Sequence, residues 1–272
     1  MKVAFWIAAI AAAAYGQTPP NAYDVLQKGL ADTNPARRVA AVLALGVVLP
    51  MPGPIALVES ALADKDSGTR AAACSTLGEM KSRASIPKLR QALDDKAPEV
   101  IFAAAKALYA MGDPQGRAVL IEVLEGDQPD KSGIVSSSIR DARVKLHDPK
   151  ALLLLGVNQG AGLLGPFGVS VPVAEMLLKD NQASGKTAAA LLLATDQSPA
   201  TAAAIKTALG DKNWTVRVAA ARSAALLDLT ALYDDVALLL DDKRDEVRYA
   251  AAGALIRFKQ APPSRSRPRS KP

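Results

Sequence analysis

Apolar residues in this chain recur at three- and four-residue intervals rather than in alternation, and the stretches that carry them come in pairs joined by short polar turns. The clearest pair lies near the end. Leu232, Val236, Leu239 and Leu240 share one side of a predicted helix over 230–240. Asp241, Asp242 and Lys243 form the turn, and a second helix is predicted from Arg244 to Phe258. Strands are excluded because the apolar residues do not alternate and the segments are rich in alanine, a poor strand former.

The pair repeats. A leucine is followed two residues later by an aspartate at Asp32, Asp64, Asp95, Asp180, Asp211 and Asp242, spaced by 31 or 32 residues except for one gap of 85. That gap hides a further unit at Gly126, two residues after Leu124. Six residues past the anchor stand Arg38, Arg70, Ile101, Lys186, Arg217 and Arg248, and eight and nine past it every unit carries Ala-Ala. Self-similarity at this period marks a stacked array whose units cannot bury their apolar faces alone.

The turns contain helix-start chemistry. Asn34-Pro35 sets a capping residue before a proline at the first helical position, Pro98 repeats the proline, and Asp66 and Asn213 fill the capping position elsewhere. Pro54, Pro87, Pro114 and Pro199 sit near the starts of first helices, where a missing N–H costs nothing. On the second helix, positions five, eight, nine, twelve and thirteen past the anchor share one face. The last of these is Leu45, Leu77, Leu108, Leu193 or Leu255 in five units. Small residues at eight and nine allow close helix approach, while each leucine contributes about 1.5–3 kcal/mol when fully buried.

These phrases, best seen in Leu-Gly-Asp-Lys-Asn-Trp-Thr-Val-Arg-Val-Ala-Ala (209–220) and Leu-Asp-Asp-Lys-Arg-Asp-Glu-Val-Arg-Tyr-Ala-Ala (240–251), resemble HEAT-repeat proteins over residues 21–259. The nearest likeness is to the short units called phycobilisome-lyase-type HEAT-like repeats, of an exported bacterial kind. The resemblance implies an all-α fold, an α-solenoid of about seven HEAT-like helix pairs with second helices on the concave side. It also implies a structural Asp–Arg ladder along the turns: Asp32, Arg38, Asp64, Arg70, Asp95, Asp180, Lys186, Asp211, Arg217, Asp242 and Arg248. Ile101 interrupts that ladder in the third unit, and Gly126 and Ser132 interrupt it in the fourth.

Composition refines the picture. Half of the 272 residues are apolar and only 4% aromatic, so the core is built from Ala, Leu and Val. The ends read differently from the array. Lys2, the apolar run Val3 to Ala14 and Ala14-Tyr15-Gly16 form a signal-peptide pattern over residues 1–16, with cleavage expected before Gln17 and export to the periplasm or outside the cell. The run is too short to span a membrane. The array occupies 17–260, and 261–272 is a basic Pro/Ser/Arg tail without apolar periodicity, expected to be disordered. Lys2 and the tail hold five of the 33 basic residues, leaving the array with 28 against 27 acidic ones and hence almost neutral. The tail reads either as weak adhesion to an anionic envelope surface or as a solubilising end.

One unit is degenerate. Between Gly126 and Asp180 a glycine-rich insertion at about 156–168 carries the apolar side chains Val157, Leu163, Leu164 and Phe167; it either tucks back onto the array or contacts something else. Ser184-Gly185-Lys186-Thr187 looks like the end of a phosphate loop, but Asp180 stands where the first glycine is needed and no strand precedes it. His147 is the only histidine and Cys74 the only cysteine, so no nitrogen- or sulfur-rich metal site is expected. Ser136, Ser137 and Ser138 lie near His147 without any sign of a nucleophile elbow.

The function expected is therefore non-enzymatic: an exported scaffold for a protein or peptide partner, with no cofactor and no nucleic acid. A lyase-type or chromophore-handling HEAT protein is the alternative, and a nucleic-acid-binding array ranks below it because the array is neutral. Positions seven and eleven past the anchor lie opposite the buried face and vary between units. Phe102, Lys106, Arg222 and Tyr249 are thus the candidate partner-binding residues, since aromatic and basic side chains anchor most interfaces.

Overall fold

The computed structural model describes residues 21–125 and 184–260, and every regular element among them is helical. Helices α1 (Ala22–Leu30) and α2 (Pro35–Ala44) form the first pair, α3 (Pro52–Ser60) and α4 (Ser67–Glu79) the second, α5 (Ile86–Gln91) and α6 (Pro98–Ala110) the third. Helix α7 (Pro114–Glu125) opens the fourth unit, and α8 (Ser184–Leu192) closes the fifth. The last two pairs are α9 (Pro199–Leu209) with α10 (Trp214–Leu226), and α11 (Tyr233–Ala237) with α12 (Asp245–Gln260). The expected leader at 1–16, cleavage before Gln17, Asp180, Gly126, Ser132, Ser136–Ser138, His147, the insertion at 156–168 and the tail 261–272 lie outside the described residues.

The anchor aspartate explains why each pair turns where it does. Asp64 Oδ1 accepts the backbone N–H two residues on, from Asp66, at 2.8 Å, and Asp32, Asp95 and Asp211 do the same at 2.8 Å. This side-chain turn places the residue two positions on at the helix cap. Asn34 then accepts from Ala36 N, Asp66 from Thr69 N and Asn213 from Thr215 N, which satisfies donors that have no partner inside the helix. Short 3-10 turns over 61–63, 92–94 and 238–241 tighten the end of the preceding helix before the aspartate. The first helix of the last pair is accordingly shorter than the pattern predicts, with only 233–237 in α-helical form.

The second helices form the core row. Ala41, Ala72, Ala73, Ala104, Ala219, Ala220 and Ala251 are wholly enclosed, as are Leu45, Leu77 and Leu108. With alanine at the contacts, neighbouring helices approach at the short end of the usual 8–10 Å range. The fifth unit departs from the pattern: Ala189 is exposed, and Thr187, Ala190 and Leu191 make the buried face of α8 instead.

Stacking order differs from chain order. Helix α12 packs on α10 on one side and on both α1 and α2 on the other, so the second helices run α8, α10, α12, α2, α4, α6 in space. The last described helix thus stacks on the first described pair. Two glycines allow this. A Cβ at Gly253 on α12 would lie 2.2 Å from the Ala44 carbonyl oxygen, and one at Gly29 on α1 would lie 2.7 Å from the Tyr249 ring.

Candidate functional site

Two features stand out from the scaffold: a ladder of ion pairs along the turns, and a tightly curved face formed by the second helices. In the ladder, each arginine joins two units. Arg38 donates through Nε and Nη2 to both oxygens of Asp64 at 2.8 Å, and through Nη1 to the Asp32 carbonyl at 2.9 Å. Arg70 grips Asp95 at 2.7 and 2.8 Å, with its third bond to the Asp64 carbonyl at 2.9 Å. Arg217 grips Asp242 at 2.8 and 2.9 Å while donating to the Asp211 carbonyl at 2.8 Å. Lys186, a single-point donor, meets Asp211 at 2.8 Å.

Arg38, Arg70 and Arg217 therefore pair with the aspartate of the following unit and touch only the backbone of their own turn. Planar, two-pronged guanidinium–carboxylate contacts fix register as well as charge. Arg38 holds the Asp64 carboxyl below its ordinary range, and Lys186 does the same for Asp211. At Asp95 and Asp242 burial pushes the carboxyl upward, but Arg70 or Arg217 together with the turn amide outweighs it, and both are lowered. Ile101 has no charge to contribute, and in the third unit it is buried instead.

At the junction of α12 with the first pair the ladder changes form. Arg248 donates to its own Asp242 carbonyl at 2.7 Å like the others, yet its second contact is Asp245 in the same helix rather than Asp32. Asp245 in turn meets Arg37 at 2.8 Å, and Arg37 reaches Asp32 at 3.2 Å. Two residues outside the repeat pattern thus bridge a rung that one arginine spans elsewhere. Gln260 adds a neutral tie, accepting the Leu49 N–H at 2.8 Å.

The second-helix face is the inside of a sharp bend. Arg222 on α10 pairs with Glu79 on α4 at 2.8 Å, although α12 and α2 lie between them in the stack. Three flat helix spacings would set these elements roughly 24–30 Å apart, beyond the reach of the two side chains. The stack must curve toward this side, which makes it concave. Beside the pair, Ala40, Leu43, Ala44, Val47, Val218 and Ala250 line a small apolar cleft.

This curvature corrects the expected binding surface. Arg222 is only 6% exposed and Tyr249 only 5%, so neither is an open contact residue. The reason is the junction: Tyr249 is covered by Gly29 of α1, and Arg222 lies over the bend against Glu79. Burial, helped by the nearby Asp32 carboxylate, raises the Tyr249 phenol above its ordinary range. Most of the other variable positions follow suit, with Leu43, Ala71, Thr187, Leu191 and Val218 buried, whereas Val39 and Ser75 are half-buried. Phe102 and Lys106 on α6 differ: the ring is half-buried and the lysine exposed. Partial desolvation holds the Lys106 ammonium below its ordinary range, against the opposing pull of Glu79.

The remaining chemical signals resolve into structure. Lys186 and Thr187 lie within α8, where Thr187 shares a 3.0 Å hydrogen bond with Thr215, so no phosphate loop forms. Cys74 is enclosed, and burial pushes its thiol up to about 12. Among the described residues no cluster of His, Cys, Asp and Glu could hold a metal, and no helix is long and apolar enough to cross a membrane. The junction residues Gly29, Arg37, Asp245, Gly253 and Gln260 escaped the sequence reading because they occur in one unit each. The two glycines inside otherwise regular helices were the signal available.

Paired helices stacked through small residues and tied by a ladder of turn charges define an α-solenoid. A profile of HEAT repeats matches residues 54–136 and 171–256, more than half of the chain. The chain belongs to the HEAT-repeat family. Among solved structures, it is similar to human deoxyhypusine hydroxylase in complex with glycerol, with 20% identity over 89% of this chain and 98% of that one and a TM-score of 0.35. An engineered protein is similar at 17% identity over 87% of this chain and 97% of that one, with a TM-score of 0.28. At these scores neither likeness carries an argument about activity. No curated protein matches the chain.

Proposed function

We propose that this HEAT-repeat array is a non-enzymatic, exported scaffold that holds a protein or peptide partner on its concave face, at the strip carrying Phe102 and Lys106. The observation that carries the reading is the contrast along that face. Most variable positions elsewhere are buried, and the exceptions, Val39 and Ser75, are small and half-buried. On α6 a half-buried aromatic ring and an exposed cation lie one turn apart. An aromatic surface beside a cation is the kind of pairing that interface anchors use. The enclosed thiol of Cys74 speaks against covalent attachment of a chromophore. Export rests on the apolar run and small residues before Gln17.

The test is cross-linking of the tagged protein in intact cells, followed by mass spectrometry, comparing the parent with Phe102→Ala/Lys106→Ala. Loss of a specific cross-linked partner with an unchanged melting curve is the expected result. Equal capture by the double variant overturns the site, and an intact mass retaining Met1 in the cytoplasm overturns export.

A further inference from the structure

We propose that the contact between the last helix, α12, and the first pair, α1 and α2, is a releasable latch: the step of the described stack that can open while the helices on either side stay folded. Three observations lead there. The first is connectivity. Leu49 and Gln260, which hydrogen-bond across the junction, are 211 residues apart, whereas ladder partners such as Arg70 and Asp95 are 25 apart. A short turn keeps in-sequence helices at high effective concentration even when their contacts break; the junction has no such tether.

The second is the grade of the ion pairs. Arg38, Arg70 and Arg217 make two-pronged contacts with well-covered side chains, Arg70 being 8% exposed. Directly between α12 and the first pair, Arg37 is 47% exposed and makes one contact to Asp245, while Arg248 is withdrawn to its own helix. The well-covered pair Arg222–Glu79 joins α10 to α4 across the bend rather than α12 to the first pair. Exposed single-point pairs contribute little and weaken with salt. Lys186–Asp211 is as exposed, but the short α9 unit tethers it. The third is packing. The junction relies on backbone approach at Gly253 and on Gly29 under Tyr249, contacts that a single added side chain would disrupt. Opening uncovers Tyr249 and loosens the bend that holds Arg222 against Glu79, so the latch controls how much of the concave face is accessible, whatever binds there.

The experiment uses the full chain and Gly253→Val, whose side chain cannot fit 2.2 Å from the Ala44 carbonyl, with Gly53→Ala as control because a Cβ at Gly53 meets nothing within 4 Å. Small-angle X-ray scattering reads the maximum dimension, circular dichroism the helix content, and amide hydrogen exchange the local opening. Expected are an unchanged helical signal, a larger maximum dimension, and exchange accelerated about tenfold or more in α1, α2 and α12 with α4 and α6 as protected as in the parent. Arg37→Ala, which adds no bulk, should shift the same amides in the same direction. If Gly253→Val loses its helical signal, or all helices accelerate together, the junction is part of one cooperative core and the latch is refuted. Unchanged scattering and exchange refute it equally.

Discussion

Replacing Arg70 by alanine removes the best-formed rung of the ladder, and the structure sets the size of the effect. Four contacts disappear: two to the Asp95 carboxylate at 2.7 and 2.8 Å, one to the Asp64 carbonyl at 2.9 Å and a longer one to the Lys65 carbonyl at 3.3 Å. Asp95, only 15% exposed with Arg70 in place, is then left with the Ala97 amide as its remaining hydrogen-bond partner. A fully buried pair broken on one side costs about 3–5 kcal/mol, and an exposed one up to about 1. This pair lies between those limits but nearer the buried one, so we expect a loss of about 2–4 kcal/mol. For an array of this size that lowers the melting midpoint by about 4–16 °C. Chemical denaturation followed at 222 nm measures it, and a double-mutant cycle with Asp95→Ala isolates the pair. Asp211→Ala should cost less than Arg70→Ala, because its partner Lys186 is 70% exposed. An Arg70→Ala midpoint within error of the parent, or a coupling to Asp95 near zero, would refute the ladder as a source of stability.

Two further outcomes follow from the same geometry. The Asp64, Asp95, Asp211 and Asp242 carboxyls all lie below their ordinary value of 3.8 when folded. A depressed folded value means that the stability is complete above the unfolded value and drains as pH falls through the folded one. The melting midpoint should therefore be level from neutral pH to about 5 and fall below about pH 4, and Asp64→Asn should flatten that acid limb. Cys74, with its thiol pushed up to about 12, should resist alkylation at pH 8 in the native protein and react at once in denaturant, as mass spectrometry would show.

The boundary between what the chain spells out and what the fold decides runs along the repeat. The aspartate, the capping residue two positions later, the proline after it and the paired alanines act within one unit or between chain neighbours, so their spacing alone specifies helix, turn, helix and obligatory stacking. The ladder residues are legible for the same reason, since the period keeps each arginine in register with the next turn. Which carboxylate each arginine grips required coordinates: Arg217 reaches Asp242 and takes only the carbonyl of Asp211. The stacking of α12 on α1 and α2 was not legible at all, because it joins residues with no common register. Its devices are single occurrences, Gly29, Gly253, Arg37 and Asp245, whose meaning depends on what faces them. That contact buries Tyr249, and the bend it belongs to brings Arg222 to Glu79. Helical periodicity can say which side of a helix is free of its chain neighbours; only the tertiary stack decides whether that side meets water or a helix far away in the sequence.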